Sequence, residues 1–143
     1  MPYVSSAGVN IYYERHGAGP AIVFAHGAGG NGASWFHQVP YFASEYSVIT
    51  CDLRCYGRSY PGGNENFDID LLPDDICAIL DQEQSETAAY VGQSLGGIAG
   101  LRLTLRHPER LWAFVSSDSH LGIAHPGIQA DLAKLVSAPG GFS

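Results

Sequence analysis

Basic side chains are scarce. Seven Lys and Arg stand against fourteen Asp and Glu, for a formal net charge of −7. No basic cluster appears along the chain, which argues against a phosphate backbone as a partner and so against nucleic acid. Long apolar runs are missing too. Nothing approaches membrane-spanning length, and Met1-Pro2-Tyr3 lacks the basic start and apolar core of a leader, so no membrane partner is expected. Only three cysteines occur, Cys51, Cys55 and Cys77. An odd number in a chain without a leader is most simply read as reduced thiols in a cytoplasm. Cys51 and Cys55 have no second close pair of ligands beside them, so no metal site is expected. What is present is globular in composition: 143 residues, 45% hydrophobic and 15% charged. That is enough for one domain burying roughly 70% of its extended-chain surface.

Short apolar runs alternate with helical patterns. Tyr3–Ser6 and Val9–Tyr13 flank Ala7-Gly8 and predict an opening hairpin. Ala21–Ala25 and Ser47–Cys51 are short and largely apolar, as expected of strands buried on both faces of a parallel sheet. Between them a helical pattern begins near Ser34, a good N-cap, with Trp35, Val39 and Phe42 at helical spacing. Ile69, Leu72, Ile76, Ile79 and Leu80 share one helical face, with Asp74 and Asp75 placed opposite; Pro73 either opens that helix or kinks it. Ala88–Val91 is the next strand and Leu95–Arg106 the next helix, buried along Ile98, Leu101 and Leu105. Gly96, Gly97 and Gly100 would let it approach the sheet, and His107-Pro108 ends it. Leu111–Ser116 is a further strand, and Ile128, Leu132 and Leu135 mark a short amphipathic helix from Pro126. Pro61–Asn64 reads as loop and Pro139-Gly140-Gly141 as a disordered end. The alternation predicts an α/β fold: a mostly parallel sheet, right-handed crossovers, helices on both faces, and no linker dividing it.

Fold alone does not decide function. Gly27-Ala28-Gly29-Gly30-Asn31-Gly32 satisfies G-x-G-x-x-G directly after a strand. Asp52 ends the next strand about 20 residues on, where a dinucleotide-binding fold keeps its ribose-binding acid. A nicotinamide- or flavin-binding domain is therefore one reading. The other starts from Val91-Gly92-Gln93-Ser94-Leu95-Gly96-Gly97, which joins a strand to a helix. A bend that tight strains the serine backbone and leaves no room for side chains at Gly92 and Gly96. In return Oγ of Ser94 stands clear of the sheet at the positive end of a helix. A Gly/Ser-rich turn without chemistry is the bland alternative.

Here the chain resembles the α/β-hydrolase superfamily, whose nucleophile elbow reads G-x-S-x-G. His26-Gly27 is similar to the family's His-Gly after the corresponding strand. Asp52-x-Arg54-x-x-Gly57-x-Ser59 looks like its D-x-R-G-x-G-x-S loop, with Cys55 where glycine is usual. The resemblance runs from about Tyr3 to about Pro126, an N-terminal portion similar to esterase, lactonase and perhydrolase-like members. It implies a small-molecule acyl substrate, acyl transfer to water through a covalent intermediate on Ser94, and no cofactor. The oxyanion would be held by the backbone N–H groups of Ala28 and Leu95, with His26, Gly27, Gly92, Gln93 and Gly96 forming the supporting loops. Asp52, Arg54 and Ser59 would hold a structural turn. Serine at the elbow argues against the haloalkane dehalogenases and epoxide hydrolases of this fold, which carry aspartate there.

Asp118 lies just past the strand after the elbow, where some members place the triad acid; a polar strand-end residue is the plainer reading. The base is expected late in the order Ser…Asp/Glu…His. His16, His37 and His107 look like surface or helix-end residues, and His120 and His125 come too early, so only a rearranged or dimeric site would recruit either. The resemblance thus implies an incomplete core over residues 1–125, the start of a cap with a disordered tail over 126–143, and the last strands absent. This chain alone would be nearly inactive, and the strand Leu111–Ser116 would expose an unpaired edge prone to self-association. A non-catalytic, hydrolase-like fragment is the reading outside enzymology.

Overall fold

The computed structural model describes residues 3–59, 66–120 and 124–137. Six strands form one sheet in the order β1-β2-β4-β3-β5-β6. They are β1 (Tyr3–Ser6), β2 (Val9–His16), β3 (Ala21–Ala25), β4 (Ser47–Cys51), β5 (Ala88–Gln93) and β6 (Leu111–Ser117). The first two form the expected antiparallel hairpin, and β2 runs antiparallel to β4. From β4 outward through β3, β5 and β6 every pairing is parallel. β2 is longer than its apolar pattern suggests, because Glu14, Arg15 and His16 continue the ladder opposite Thr50, Ile49 and Val48. All five residues of β3 and of β4 are buried, which is why neither shows the alternation of a one-sided strand.

The helices are α1 (Gln38–Phe42), α2 (Leu72–Gln82), α3 (Leu95–Arg106) and α4 (Pro126–Ser137). Right-handed crossovers put α1 on one face of the sheet and α2 with α3 on the other, because the chain steps one way from β3 to β4 and the opposite way from β4 to β5 and on to β6. The core divides accordingly. Val23, Ile49, Leu72, Ile76, Ile79, Leu80, Tyr90 and Leu103 pack on the α2–α3 side. Ile22, Phe24 and Val48 meet Trp35, Val39 and Phe42 on the α1 side.

Several local expectations need correction. Ser34 is not the cap: a 3₁₀ turn over Gly32–Trp35 precedes α1, and the Asn31 side chain caps it by accepting from Ala33 N–H. Asp75 does not face solvent. It is 2% exposed, because Arg54 reaches it from the loop after β4. Pro73 opens α2 rather than kinking it, where its missing N–H costs nothing. On α3, Leu101 and Leu105 are only half-buried, while Ala99, Arg102 and Leu103 are fully enclosed. That helix is covered by α2 and α4 as well as by the sheet, so its buried face is wider than one stripe. Within the segment read as cap and tail, α4 lays Ile128 into the main core. The Pro61–Asn64 loop and Pro139-Gly140-Gly141 lie outside the described residues. Among the described residues no helix is long and apolar enough to cross a membrane.

Candidate active site

In parallel sheets of this kind, ligands bind beyond the carboxyl ends of the strands where the winding direction reverses. That point here lies between β3 and β5. β3 leads directly into His26-Gly27, and β5 directly into Ser94.

Ser94 has φ 49°, ψ −111°, a conformation that costs roughly 1–3 kcal/mol for a residue with a Cβ. The glycines around it are dictated by backbone, not by flexible side chains. A Cβ on Gly92 would lie 2.2 Å from Gly96 O, and one on Gly96 would lie 2.3 Å from Ala25 O. Gly96 N–H donates to His26 O at 3.1 Å, and the Tyr90 hydroxyl donates to Gly96 O at 3.0 Å. Burial pushes the Tyr90 phenol well above its ordinary pKa, so it remains a donor. The start of α3 is thereby tied to the end of β3. Ser94 itself is partly exposed, and a Cβ on Gly27 would lie only 3.2 Å from Ser94 Cβ and 2.2 Å from Gln93 Oε1. His26, Gly27, Gly92, Gln93 and Gly96 therefore converge around Ser94.

The loop after β3 is a tight turn. Gly30 N–H donates to Gly27 O at 3.0 Å, and Gly29 has φ +80°, the left-handed geometry a type II turn requires at that corner. Neither the Ala28 nor the Leu95 amide is taken up by a hydrogen bond among the described residues. His26 braces the turn from below. Leu53 N–H donates to its Nε2 at 2.9 Å, which leaves the ring proton on Nδ1, 2.7 Å from Gly27 O. Burial holds its pKa below the ordinary histidine value; the ring is a neutral strut.

Asp52 is a second strut. Its carboxylate accepts from Gly32 N–H and from Arg58 N–H, both at 2.7 Å. Ser59 Oγ donates to Asp52 O at 2.6 Å and accepts from Tyr12 N–H at 2.7 Å. Cys55, at the position where glycine was expected, is left-handed with φ 66°. The dinucleotide reading does not survive this geometry. Both Asp52 oxygens are committed to backbone, and the glycine loop leads into a 3₁₀ turn, not a regular helix whose N-terminus could hold a pyrophosphate.

The other polar candidates separate. Asp118 is exposed and left-handed, φ 47°, between Ser117 and Ser119, which both bond the Ser94 backbone. His125 caps α4: Gly127 N–H donates to its Nδ1 at 3.1 Å, and Arg102 lies 3.5 Å from the same nitrogen. His107 pairs with Asp74 and Glu109, His16 with Glu14, and His37 stacks on Phe36. Sequence reasoning missed three features here: the buried Arg54–Asp75 pair, the buried Arg102 with its Asp70 and Asp131 partners, and Ser119, whose hydroxyl donates to Ser94 O at 2.8 Å. An arginine within an otherwise apolar helical face was the available signal for Arg102. Nothing local pointed to Ser119.

Comparison with known proteins agrees with this architecture. Residues 20–142 match the family model described as the alpha/beta hydrolase fold. The pimeloyl-acyl-carrier protein methyl ester esterase of Aeromonas hydrophila is 38% identical over 108 residues, 76% of this chain and 41% of that protein. The solved structure of Est816, an N-acyl homoserine lactone degrading enzyme, superimposes with a TM-score of 0.80 at 36% identity, covering 93% of this chain and 51% of that one. An epoxide hydrolase from Bacillus megaterium gives a TM-score of 0.77 at 28% identity, covering 83% and 42%. The chain spans about two fifths of the length of the curated relatives it matches.

Proposed function

The chain belongs to the alpha/beta hydrolase fold family, and from that premise we propose that it carries the nucleophile half of a serine hydrolase acting on an ester, lactone or related acyl substrate. Ser94 Oγ attacks the carbonyl carbon, and the C–O bond to the leaving oxygen breaks as that oxygen takes up the serine proton (in a lactone it stays tethered to the acyl group). Water then cleaves the acyl–Ser94 ester to a carboxylic acid and the free hydroxyl. The developing oxyanion is received by the N–H groups of Ala28 and Leu95, preorganised donors of a kind whose individual loss typically costs about 3 kcal/mol of barrier lowering. The observation that carries this reading is Ser94 itself: a partly exposed serine held in a strained bend, with the His26-Gly27 turn packed against it.

The choice of nucleophile separates this chemistry from that of the epoxide hydrolase relatives. Opening an epoxide on a carboxylate leaves an ester, which water can cleave; a serine hydroxyl would leave an ether, which it cannot. Turnover by these 143 residues is slow on this reading. His16, His26, His37, His107 and His125 are all engaged elsewhere, and loss of the base in a serine triad costs on the order of 10⁶ in rate. Asp118 and His120 are the residues near the β6 exit that a rearranged site would draw on. The test is chemical rescue. Imidazole in solution should raise p-nitrophenyl acetate hydrolysis above the protein-free imidazole rate, and Ser94→Ala should abolish that increment. A non-catalytic fragment would give no Ser94-dependent increment, which would sink the proposal; loss of activity in His120→Ala without imidazole would identify an internal base instead.

A further inference from the structure

Something must hold Ser94 at φ 49°, ψ −111°. Among the described residues its backbone makes three hydrogen bonds. The carbonyl accepts from Ile98 N–H at 3.1 Å, the bond any helix would make at its start. The other two come from a single short segment at the exit of β6. Ser94 N–H donates to Ser117 O at 3.1 Å, and Ser119 Oγ donates to Ser94 O at 2.8 Å. Between Ser117, the last residue of β6, and Ser119, Asp118 is left-handed, φ 47°, which turns the chain so that Ser119 returns to the elbow. The fit is close. A Cβ on Gly97 would lie 2.6 Å from Ser119 Cβ and 2.7 Å from its Oγ. Gly97 lies outside the G-x-S-x-G pentapeptide, and its need for glycine follows from the seat it provides for Ser119.

We infer that Ser117-Asp118-Ser119 is a clamp that holds both sides of the Ser94 peptide, with Ser119 as a positioning residue for the Ser94 hydroxyl. The catalytic consequence rests on the reading of Ser94 as nucleophile; the clamp itself is a statement about backbone. Oγ has no hydrogen bond of its own among the described residues, so its direction is set by the φ/ψ of residue 94 and by packing against Gly27. Without the Ser119 bond the Ser94 carbonyl keeps only the helix bond, and the peptide is free to relax toward an unstrained region.

Two variants, Ser119→Ala and Ser119→Thr, test this with two readouts. One is amide hydrogen exchange across residues 92–98, with α2 as the internal reference. The other is phosphonylation of Ser94 by a fluorophosphonate with imidazole supplied as the external base, the maximal labelling rate being separated from the half-saturating probe concentration. In Ser119→Ala, exchange over 92–98 should rise and maximal labelling should fall, each by about tenfold, the equivalent of one hydrogen bond of roughly 1.4 kcal/mol. Exchange in α2 and the half-saturating concentration should stay within about twofold. Ser119→Thr, which keeps the hydroxyl, should restore both. Unchanged exchange over 92–98 overturns the clamp. Raised exchange with undiminished maximal labelling overturns the positioning role. Failure of the unsubstituted protein to label at Ser94 overturns the nucleophile reading and the positioning role together, while exchange still decides the clamp.

Discussion

Arg54 and Asp75 are 1% and 2% exposed, and they join the loop after β4 to α2. Arg54 donates to Asp75 through Nε at 3.0 Å and through Nη2 at 2.5 Å, and Nη2 also donates to Ser6 O at 3.0 Å. The fork is bidentate, and its spare donor is spent on β1, so three segments of chain meet on one guanidinium. Asp75→Asn removes the charge but keeps the shape. One carboxylate oxygen becomes an amide that faces the guanidinium with its own protons, and a buried cation is left without a counter-charge. Breaking a buried pair in this way costs about 3–5 kcal/mol, a large share of the roughly 5–15 kcal/mol that holds a domain together. At about 3 °C per kcal/mol for a chain of this length the melting temperature should fall by roughly 10–15 °C. Arg54→Met combined with Asp75→Leu removes both charges and should recover most of the loss, because apolar replacement of a whole buried pair is often neutral. Urea unfolding followed by circular dichroism on the parent, Asp75→Asn, the singles Arg54→Met and Asp75→Leu, and the double variant measures the cost and closes the cycle. A cost below about 1 kcal/mol for Asp75→Asn, or a double variant no more stable than the singles, would refute the reasoning and make the pair incidental.

Two further outcomes are expected. His26 is held neutral by burial, below its ordinary pKa, so below about pH 6.5 the unfolded chain takes up a proton that the folded chain refuses. Its contribution to stability is therefore full above that pH and is lost as the pH falls toward the depressed folded value. The difference in unfolding free energy between the parent and His26→Gln should shrink between pH 7.5 and 5, and a constant difference would count against the strut. The second concerns β6, whose outer edge is unpaired among the described residues and whose Trp112 and Val115 are each 52% exposed. Light scattering should show concentration-dependent association that Val115→Lys reduces, since a charge on an edge strand blocks further pairing; a monodisperse parent at every concentration would end that idea.

The strands were legible because their burial is of two simple kinds. β3 and β4 are enclosed on both faces and read as unbroken runs, while β2 alternates. Both patterns follow from a side-chain period of two. Helix α2 was legible along Leu72, Ile76, Ile79 and Leu80 and misread at Asp75, because periodicity assigns every polar residue to the solvent face. It has no way to see a partner that arrives from residue 54. The same blindness hid Arg102, enclosed with Asp70 and Asp131, and left His125 as a base only a rearranged or dimeric site would recruit when it is a helix cap. Each miss is a side chain whose environment is set by another segment of the chain.

The site was legible where glycine marks it and illegible where it does not. Gly92 and Gly96 announce the elbow because a Cβ at either would strike backbone. Ser94, Cys55 and Asp118 also hold positive φ, yet none is glycine; the elbow motif announces the strain at Ser94 and the glycine it replaces marks Cys55, while no local rule flags Asp118. At Asp118 that geometry is tolerable, since a short polar side chain adopts the left-handed region at modest cost. At Cys55 the residue is buried within the turn that positions Leu53 N–H and Asp52. A left-handed residue with a Cβ persists only where its surroundings over-determine it. At Cys55 they include the Cys55 N–H bond to Ser59 O and the Arg54–Asp75 fork beside it. At Ser94 they are the glycine seats, the first bond of α3 and the β6 exit. Conformation at both bends is thus imposed by tertiary contacts, so a substitution that loosens Ser119 or Asp75 changes the geometry of residue 94 or 55 without touching it.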